Sequence, residues 1–351
     1  MDQSELGQLL TMGLPGPFLT PVWRDFIRRV QPGGFILFGR NLQSPGQVRE
    51  LCDELRALCD TPPILTLDQE GGRVSRLKDI GHQPPSADQL RRCGDTNLIR
   101  RHGELTATLL RLFGFNLNLA PVADILLDSE AENSLLNRCY GTSADEVISK
   151  AGVFLDAMQD GGVCGTVKHF PGYSLCSKDP HGSLPLVDRS REEMEEHELK
   201  VFRALLHRSA SAMIGHAVYP VFDPDGCPSS LSSRIIRDLL IGEIGYGGLV
   251  MTDDLEMGAI SYEYGVAETV RMAIDAGNDL LLFCHQRECV EIALTTLSRL
   301  PADKCEKPLA KMREFKSKLS PAREWSAVAF DSINTDIQAL REKCESRLAQ
   351  A

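Results

Sequence analysis

Two short stretches of this chain hold the residue types that nucleophilic and acid–base chemistry require. Residues 167–181 read Val-Lys-His-Phe-Pro-Gly-Tyr-Ser-Leu-Cys-Ser-Lys-Asp-Pro-His. An apolar run ends there in two basic residues, Lys168 and His169, and a carboxylate and an imidazole, Asp179 and His181, follow in a Gly/Ser/Pro-bearing loop. Pro180 pushes the residue before it toward an extended conformation, and side chains two apart in an extended segment share a side. Asp179 is thus placed to hold His181. A carboxylate on one ring nitrogen fixes the tautomer and stabilises the protonated ring, which leaves the other nitrogen for acid and base work near neutral pH. Taken alone, a histidine in such a loop is more often plain surface.

The second stretch, residues 249–254, is an apolar run that ends in two carboxylates, Asp253 and Asp254. Asp253 at the end of a buried strand would serve as a nucleophile if nearby cations kept it ionised, and Lys168 and Arg138 are the candidate cations. The plainer reading is a cap on the next helix, a role that suits Asp254 as cap or orienting group. A third motif, Asp68-Gln-Glu-Gly-Gly-Arg-Val-Ser-Arg76, contains two glycines that permit a sharp turn. An aspartate and arginines at a pocket rim suit hydroxyl-rich ligands, though a turn with a local ion pair has the same composition. Asn137-Arg138-Cys139-Tyr140-Gly141 carries the same ambiguity. With no metal-ligand spacing, phosphate-cradling glycine loop or Gly-x-Ser-x-Gly elbow, no metal and no cofactor are expected.

These residues need a scaffold that brings distant stretches together. Short apolar runs alternate with amphipathic stretches up to about residue 300, the pattern of a parallel sheet covered by helices. Eight strands are expected, at 8–12, 34–38, 64–67, 116–121, 165–167, 212–214, 248–251 and 279–283. Helices are expected at 45–58, 98–112, 144–158, 191–207, 234–241 and 266–276, the first capped by Ser44 with Pro45 in its first turn and 191–207 capped by Asp188 or Ser190. Polar residues recur just after the apolar runs: Asp68, Asp124, Lys168 with His169, His216, and Asp253 with Asp254. This favours an α/β fold of the (β/α)8 TIM-barrel type, whose sites gather at the carboxyl ends of the strands. Charged, helix-favouring segments at 303–319 and 335–350 are read as helices on the outside. The expected organisation is one domain, a barrel over 1–300 with C-terminal helices over 301–351.

The 351 residues are 42% hydrophobic with a formal net charge of -11, which speaks against a nucleic-acid partner or an anionic membrane surface. The amino terminus lacks the basic start and apolar core of a signal peptide, and no segment is apolar for the length that spans a bilayer, so a cytoplasmic protein is expected. The 11 cysteines are scattered without paired spacing and fit reduced thiols better than a disulfide framework. The oligomeric state is not set by the sequence, and a monomer is the favoured expectation.

Taken together, the motifs resemble family 3 glycoside hydrolases, in particular the single-domain β-N-acetylhexosaminidases that trim cell-wall fragments in bacteria. The matching pieces are Leu67-Asp-Gln-Glu-Gly-Gly-Arg-Val74, Leu119-Ala-Pro-Val-Ala-Asp124, Asn137-Arg138 with Tyr140-Gly141, Lys168-His-Phe-Pro-Gly172, Gly215-His-Ala217 with Tyr219-Pro220, and Thr252-Asp-Asp-Leu255 with Met257. They occur in family order and cover most of the chain up to about residue 290. The resemblance implies that Asp253 is the catalytic nucleophile, His181 the acid/base and Asp179 its partner. It implies also that Asp68, Arg76, Arg138, Lys168 and His169 bind the non-reducing sugar. The implied reaction is retaining hydrolysis of terminal β-linked N-acetylglucosamine from muropeptide-like fragments. Larger two-domain β-glucosidases of the family take a glutamate acid from a second domain, which is not expected in this chain and so favours the hexosaminidase branch. The chain departs from the family pattern in three places. Gly172 is followed by Tyr173-Ser174 where Gly-His-Gly is common, Pro180 replaces a small serine, and Cys139 stands where serine is typical.

Three other functions compete with this one. Phosphorolysis in place of hydrolysis is compatible with an imidazole acid/base, which would not repel a phosphate dianion, and product analysis with and without phosphate separates the two. A β-glucosidase specificity is separated by comparing glucosides with N-acetylglucosaminides. A non-catalytic sugar-binding barrel would bind ligand after Asp253→Ala and show no turnover in the parent.

Overall fold

The computed structural model of the chain describes residues 2–127, 134–174 and 184–350. Eight parallel strands close into a barrel: β1 (Leu10–Gly13), β2 (Gly34–Ile36), β3 (Ile64–Leu67), β4 (Leu117–Asn118), β5 (Cys164–Phe170), β6 (Ser211–Ile214), β7 (Leu249–Asp254) and β8 (Leu280–Phe283). Each pairs with its sequence neighbours, and β8 returns to β1 with Leu10 opposite Leu281. The expected barrel is therefore observed, with every expected strand present and most bounds differing by a few residues.

The strands form because their runs are buried on both faces, as parallel strands must be. Every residue of β1, β3, β6 and β8 is buried. The helices form where the sequence turns amphipathic. Pro45–Leu58 is capped by the Ser44 hydroxyl, which accepts from the Gln47 N–H at 3.3 Å, and it buries Val48, Leu51, Cys52 and Leu55 against the barrel. Thr96–Phe113 and Val266–Ala276 both end on a left-handed glycine, Gly114 and Gly277. Ser190 is the cap of the helix at 191.

Two expected helices differ. The 191–207 segment is two helices, Arg191–Glu196 and Glu198–Leu206, broken at His197. The break turns Glu198 inward, where its carboxylate accepts both bonds from Arg189 at 2.7 and 2.8 Å. Residues Arg234–Glu243 wind more loosely than an α-helix, with bonds such as Ile244 N–H to the Leu239 carbonyl at 2.9 Å. Beyond the barrel, Ala302–Ser317 packs near β7, and Ala327–Leu348 lies across Thr96–Phe113 and Ala87–Arg92. No described helix is long and apolar enough to cross a membrane.

Candidate active site

Because all eight strands point the same way, their carboxyl ends form one mouth, and the polar residues just beyond them face one cavity of about 560 Å³. Its walls include Asp68, Arg76, Arg138, Lys168, His169 and Asp253. These six of the eight expected site residues are thus brought together from the ends of β3, β5 and β7 and the loop after β4. The other two, Asp179 and His181, lie outside the described residues. The volume falls within the range of small-molecule pockets.

One wall is a chain of alternating charges. Arg76 reaches Asp68 at 2.8 Å, Asp68 reaches Lys168 at 2.7 Å, Lys168 reaches Glu70 at 2.7 Å, and Glu70 binds Arg138 in a two-pronged pair at 2.8 Å each. The Lys168 side chain is 2% exposed and Glu70 5%. Burial pushes the Glu70 carboxyl up, but Arg138 and then Lys168 more than reverse this and hold it at about 2. Asp68 is likewise held well below the usual carboxylate range, against burial, by Lys168 and Arg76. Burial works against the Lys168 ammonium, yet Asp68 and Glu70 raise its pKa, so it stays charged. An ion cluster fixed in this way offers acceptors and donors whose directions are set before a ligand arrives, which suits a ring of hydroxyls.

His169 extends this wall. Its Nδ1 lies 2.8 Å from Asp124 Oδ2, and since a carboxylate only accepts, Nδ1 carries the proton and Nε2 is left for a ligand. Asp124 is fully buried, and its other oxygen accepts the Tyr173 N–H at 2.7 Å. The Tyr173 ring in turn stacks on His169, with centroids 5.0 Å apart.

Asp253 stands at the end of β7, partly exposed to the cavity. Its Oδ1 accepts the N–H of Asp254 at 2.8 Å, which orients the carboxylate from its own backbone. Asp254 acts as a local cap: its Oδ1 accepts from Glu256 N–H at 3.1 Å and Cys284 N–H at 3.3 Å, and its Oδ2 sits 3.3 Å from His285 Nε2. His216, fully buried, lies 2.9 Å by Nε2 from the Asp254 carbonyl and 2.8 Å by Nδ1 from the Ser230 hydroxyl. Burial lowers its pKa, so it stays neutral, with Nε2 donating and Nδ1 accepting. Lys168 and Arg138, the candidate cations for Asp253, line the same cavity as Asp253 without touching it. Lys168 and Arg138 are engaged with Asp68 and Glu70, and among the described residues no ion pair joins either of them to Asp253. Their partners Asp68 and Glu70 come from the segment at the end of β3, across the barrel from β7 and Asp253.

Glu70, Asp124, Tyr173 and the rim residues Phe38, Glu256 and His285 are the site groups that the sequence did not assign to binding or catalysis. Glu70 carried a signal, since it lies two residues from Asp68 in an extended stretch and so faces the same way. Asp124 carried one too, as a polar residue closing a strand. His285 carried none: its stacking on Phe38, with centroids 5.7 Å apart, joins residues about 250 positions apart. Among the described residues no group of three or more His, Cys, Asp or Glu is arranged to hold a metal ion.

Comparison with known proteins extends this picture. The family model described as "Glycosyl hydrolase family 3 N terminal domain" matches residues 3–311. A protein of Pseudomonas aeruginosa named Beta-hexosaminidase is 34% identical over 292 residues, 83% of this chain and 86% of its own length. The solved family 3 β-N-acetylglucosaminidase of Paenibacillus sp. superposes with a TM-score of 0.90 at 32% identity, over 96% of this chain and 68% of that one. NagZ of Neisseria gonorrhoeae superposes with a TM-score of 0.81 at 25% identity, over 95% of this chain and 97% of that one.

Proposed function

Because the chain belongs to glycosyl hydrolase family 3, we propose that it is a retaining exo-β-N-acetylglucosaminidase that releases terminal β-linked N-acetylglucosamine, with GlcNAc-terminated cell-wall fragments as its natural substrate. The observation that carries this reading is the sharing of one cavity by the Asp253 carboxylate and by Asp68, Arg138 and Lys168, which Glu70 ties together from behind. The relatives named Beta-hexosaminidase and β-N-acetylglucosaminidase support the choice of sugar.

In this reading the sugar hydroxyls bond to Asp68, Arg138, Lys168 and the free Nε2 of His169, and Arg76 holds Asp68 in place. Asp253 attacks the anomeric carbon, forming a carbon–oxygen bond as the bond to the leaving oxygen breaks. His181 gives that oxygen its proton, with Asp179 stabilising the imidazolium. The neutral His181 then takes a proton from water, the hydroxide equivalent attacks the same carbon, and Asp253 leaves, so two inversions give net retention. The roles of His181 and Asp179 come from the family pattern.

The test is turnover of 4-nitrophenyl N-acetyl-β-glucosaminide beside Asp253→Asn and the matching glucoside. Nitrophenol released by the parent, lost in the variant and slow from the glucoside is the expected result. No release from either substrate, with sugar binding retained, overturns it.

A further inference from the structure

Spacing along the chain pairs none of the 11 cysteines, but the fold brings two of them together. The helix Ala327–Leu348 buries Phe330, Ile333, Ile337, Leu340 and Cys344, a run of three- and four-residue steps that puts them on one stripe facing the barrel. Cys344 is the last of the run and is 1% exposed. The helix Ala87–Arg92 packs against this one, and Cys93 is its carboxy-terminal cap. The Cys93 thiol donates to the Cys344 carbonyl at 3.4 Å, and the two thiols are in hydrogen-bond contact with each other. One turn further on, Arg347 pairs with Asp95 at 2.9 Å, which holds the two ends in register.

The two thiols are not equivalent. Cys93 is partly exposed, so a small oxidant can reach it, whereas the buried Cys344 can reach only its neighbour. Burial first, and then the Cys93 thiol, push the Cys344 thiol up to about 12, so its thiolate is scarce at neutral pH. A disulfide brings two sulfurs to about 2 Å, a short travel from hydrogen-bond contact. Neither residue lines the cavity, so a bond between them leaves the residues of the site in place.

We propose that Cys93 and Cys344 are a site of oxidative modification: a low-molecular-weight disulfide converts them to an intramolecular disulfide that locks the C-terminal helix to the barrel. With oxidised glutathione as the oxidant, the Cys93 thiolate attacks one of its sulfurs, which forms a mixed disulfide and releases the first glutathione thiolate. The Cys344 thiolate then attacks the Cys93 sulfur and releases the second. Two protein thiols are oxidised, one glutathione disulfide is reduced, and the two thiol protons end on the two released glutathiones. Because the bond joins positions 251 apart, it removes freedom from the unfolded chain and fixes a tail that ion pairing and apolar packing hold in the reduced protein. This lock does not depend on which reaction the cavity carries out.

The test is incubation of the full-length protein with oxidised glutathione at about pH 8.5, where thiolates are more abundant, followed by alkylation under denaturing conditions and peptide mass spectrometry. A linked Cys93–Cys344 peptide is expected, with alkylation lost at both positions. The thermal midpoint is expected to rise by roughly 3–8 °C and to return on addition of dithiothreitol. Cys344→Ala leaves Cys93 without its partner, so it should keep glutathione on Cys93 and show no rise, and Cys93→Ala should show none either. Midpoints of the reduced variants establish that each is folded. Recovery of both positions alkylated in the parent, glutathione retained on Cys93 with no linked peptide, or a link from either residue to a different cysteine overturns the pairing. A linked peptide with an unchanged midpoint overturns the lock.

Discussion

Glu70 joins two cations, and much of the site's electrostatics turns on it. With its side chain 5% exposed, it neutralises parts of both Arg138 and Lys168, so its removal leaves two buried cations short of a partner. Glu70→Ala is expected to lower stability by about 3–5 kcal/mol, read from denaturant unfolding, and to raise KM as Arg138 loses its orientation. The pH dependence has a definite sign. The folded Glu70 pKa of about 2 lies below the ordinary 4.5, so its stabilisation is fully present above pH 4.5 and is lost as the pH falls toward 2. Parent and Glu70→Gln should therefore converge in stability on acidification and stay apart between pH 5 and 7. Asp253→Asn keeps the shape of the side chain and removes the carboxylate charge that the proposed nucleophile needs, and a fall in kcat of at least about 10³-fold is expected.

At the scale of elements, the site depends on the segments that leave the carboxyl ends of the strands. The hairpin of Gln69–Gly71 and Val74–Ser75 after β3 sets Asp68, Glu70 and Arg76 on one wall, and its turn uses Gly71 at φ 104 and Gly72 at φ 55. A Cβ on Gly71 would lie 2.4 Å from the Pro85 carbonyl oxygen, and side chains rarely adopt that backbone conformation. Gly71→Ala is expected to cost about 1–3 kcal/mol and to weaken sugar binding by shifting Glu70, as read by thermal unfolding and by inhibition with N-acetylglucosamine.

For the whole molecule, the cavity residues all precede residue 286, whereas Ala327–Leu348 buries Phe330, Ile333, Ile337 and Leu340 away from the mouth. Trp325 stacks on Phe113 at 5.6 Å, and Asn334 Oδ1 accepts from the His82 N–H. We propose that these C-terminal helices supply stability rather than chemistry. A chain ending at Leu319 should unfold at a lower temperature because apolar surface on Thr96–Phe113 is uncovered, while kcat/KM per folded molecule stays within about three-fold of the parent. A larger loss of activity in folded protein would assign the tail a part in the site.

The barrel and much of the site could be read from the sequence because both rest on local patterns. Short apolar runs, separated by amphipathic stretches, leave little choice but a parallel sheet under helices, and a polar residue closing such a run must sit at a strand's end. Asp68, Lys168, His169 and Asp253 were found in this way, and Arg76 and Arg138 through the motifs around them. What the local pattern leaves undetermined is pairing. Asp253 had two candidate cations by sequence, and only the closed barrel shows both of them drawn to Asp68 and Glu70. The stacking of His285 on Phe38 is likewise tertiary. Such contacts depend on which side chains the barrel's closure brings within a few ångströms, a distance that spacing along the chain does not encode.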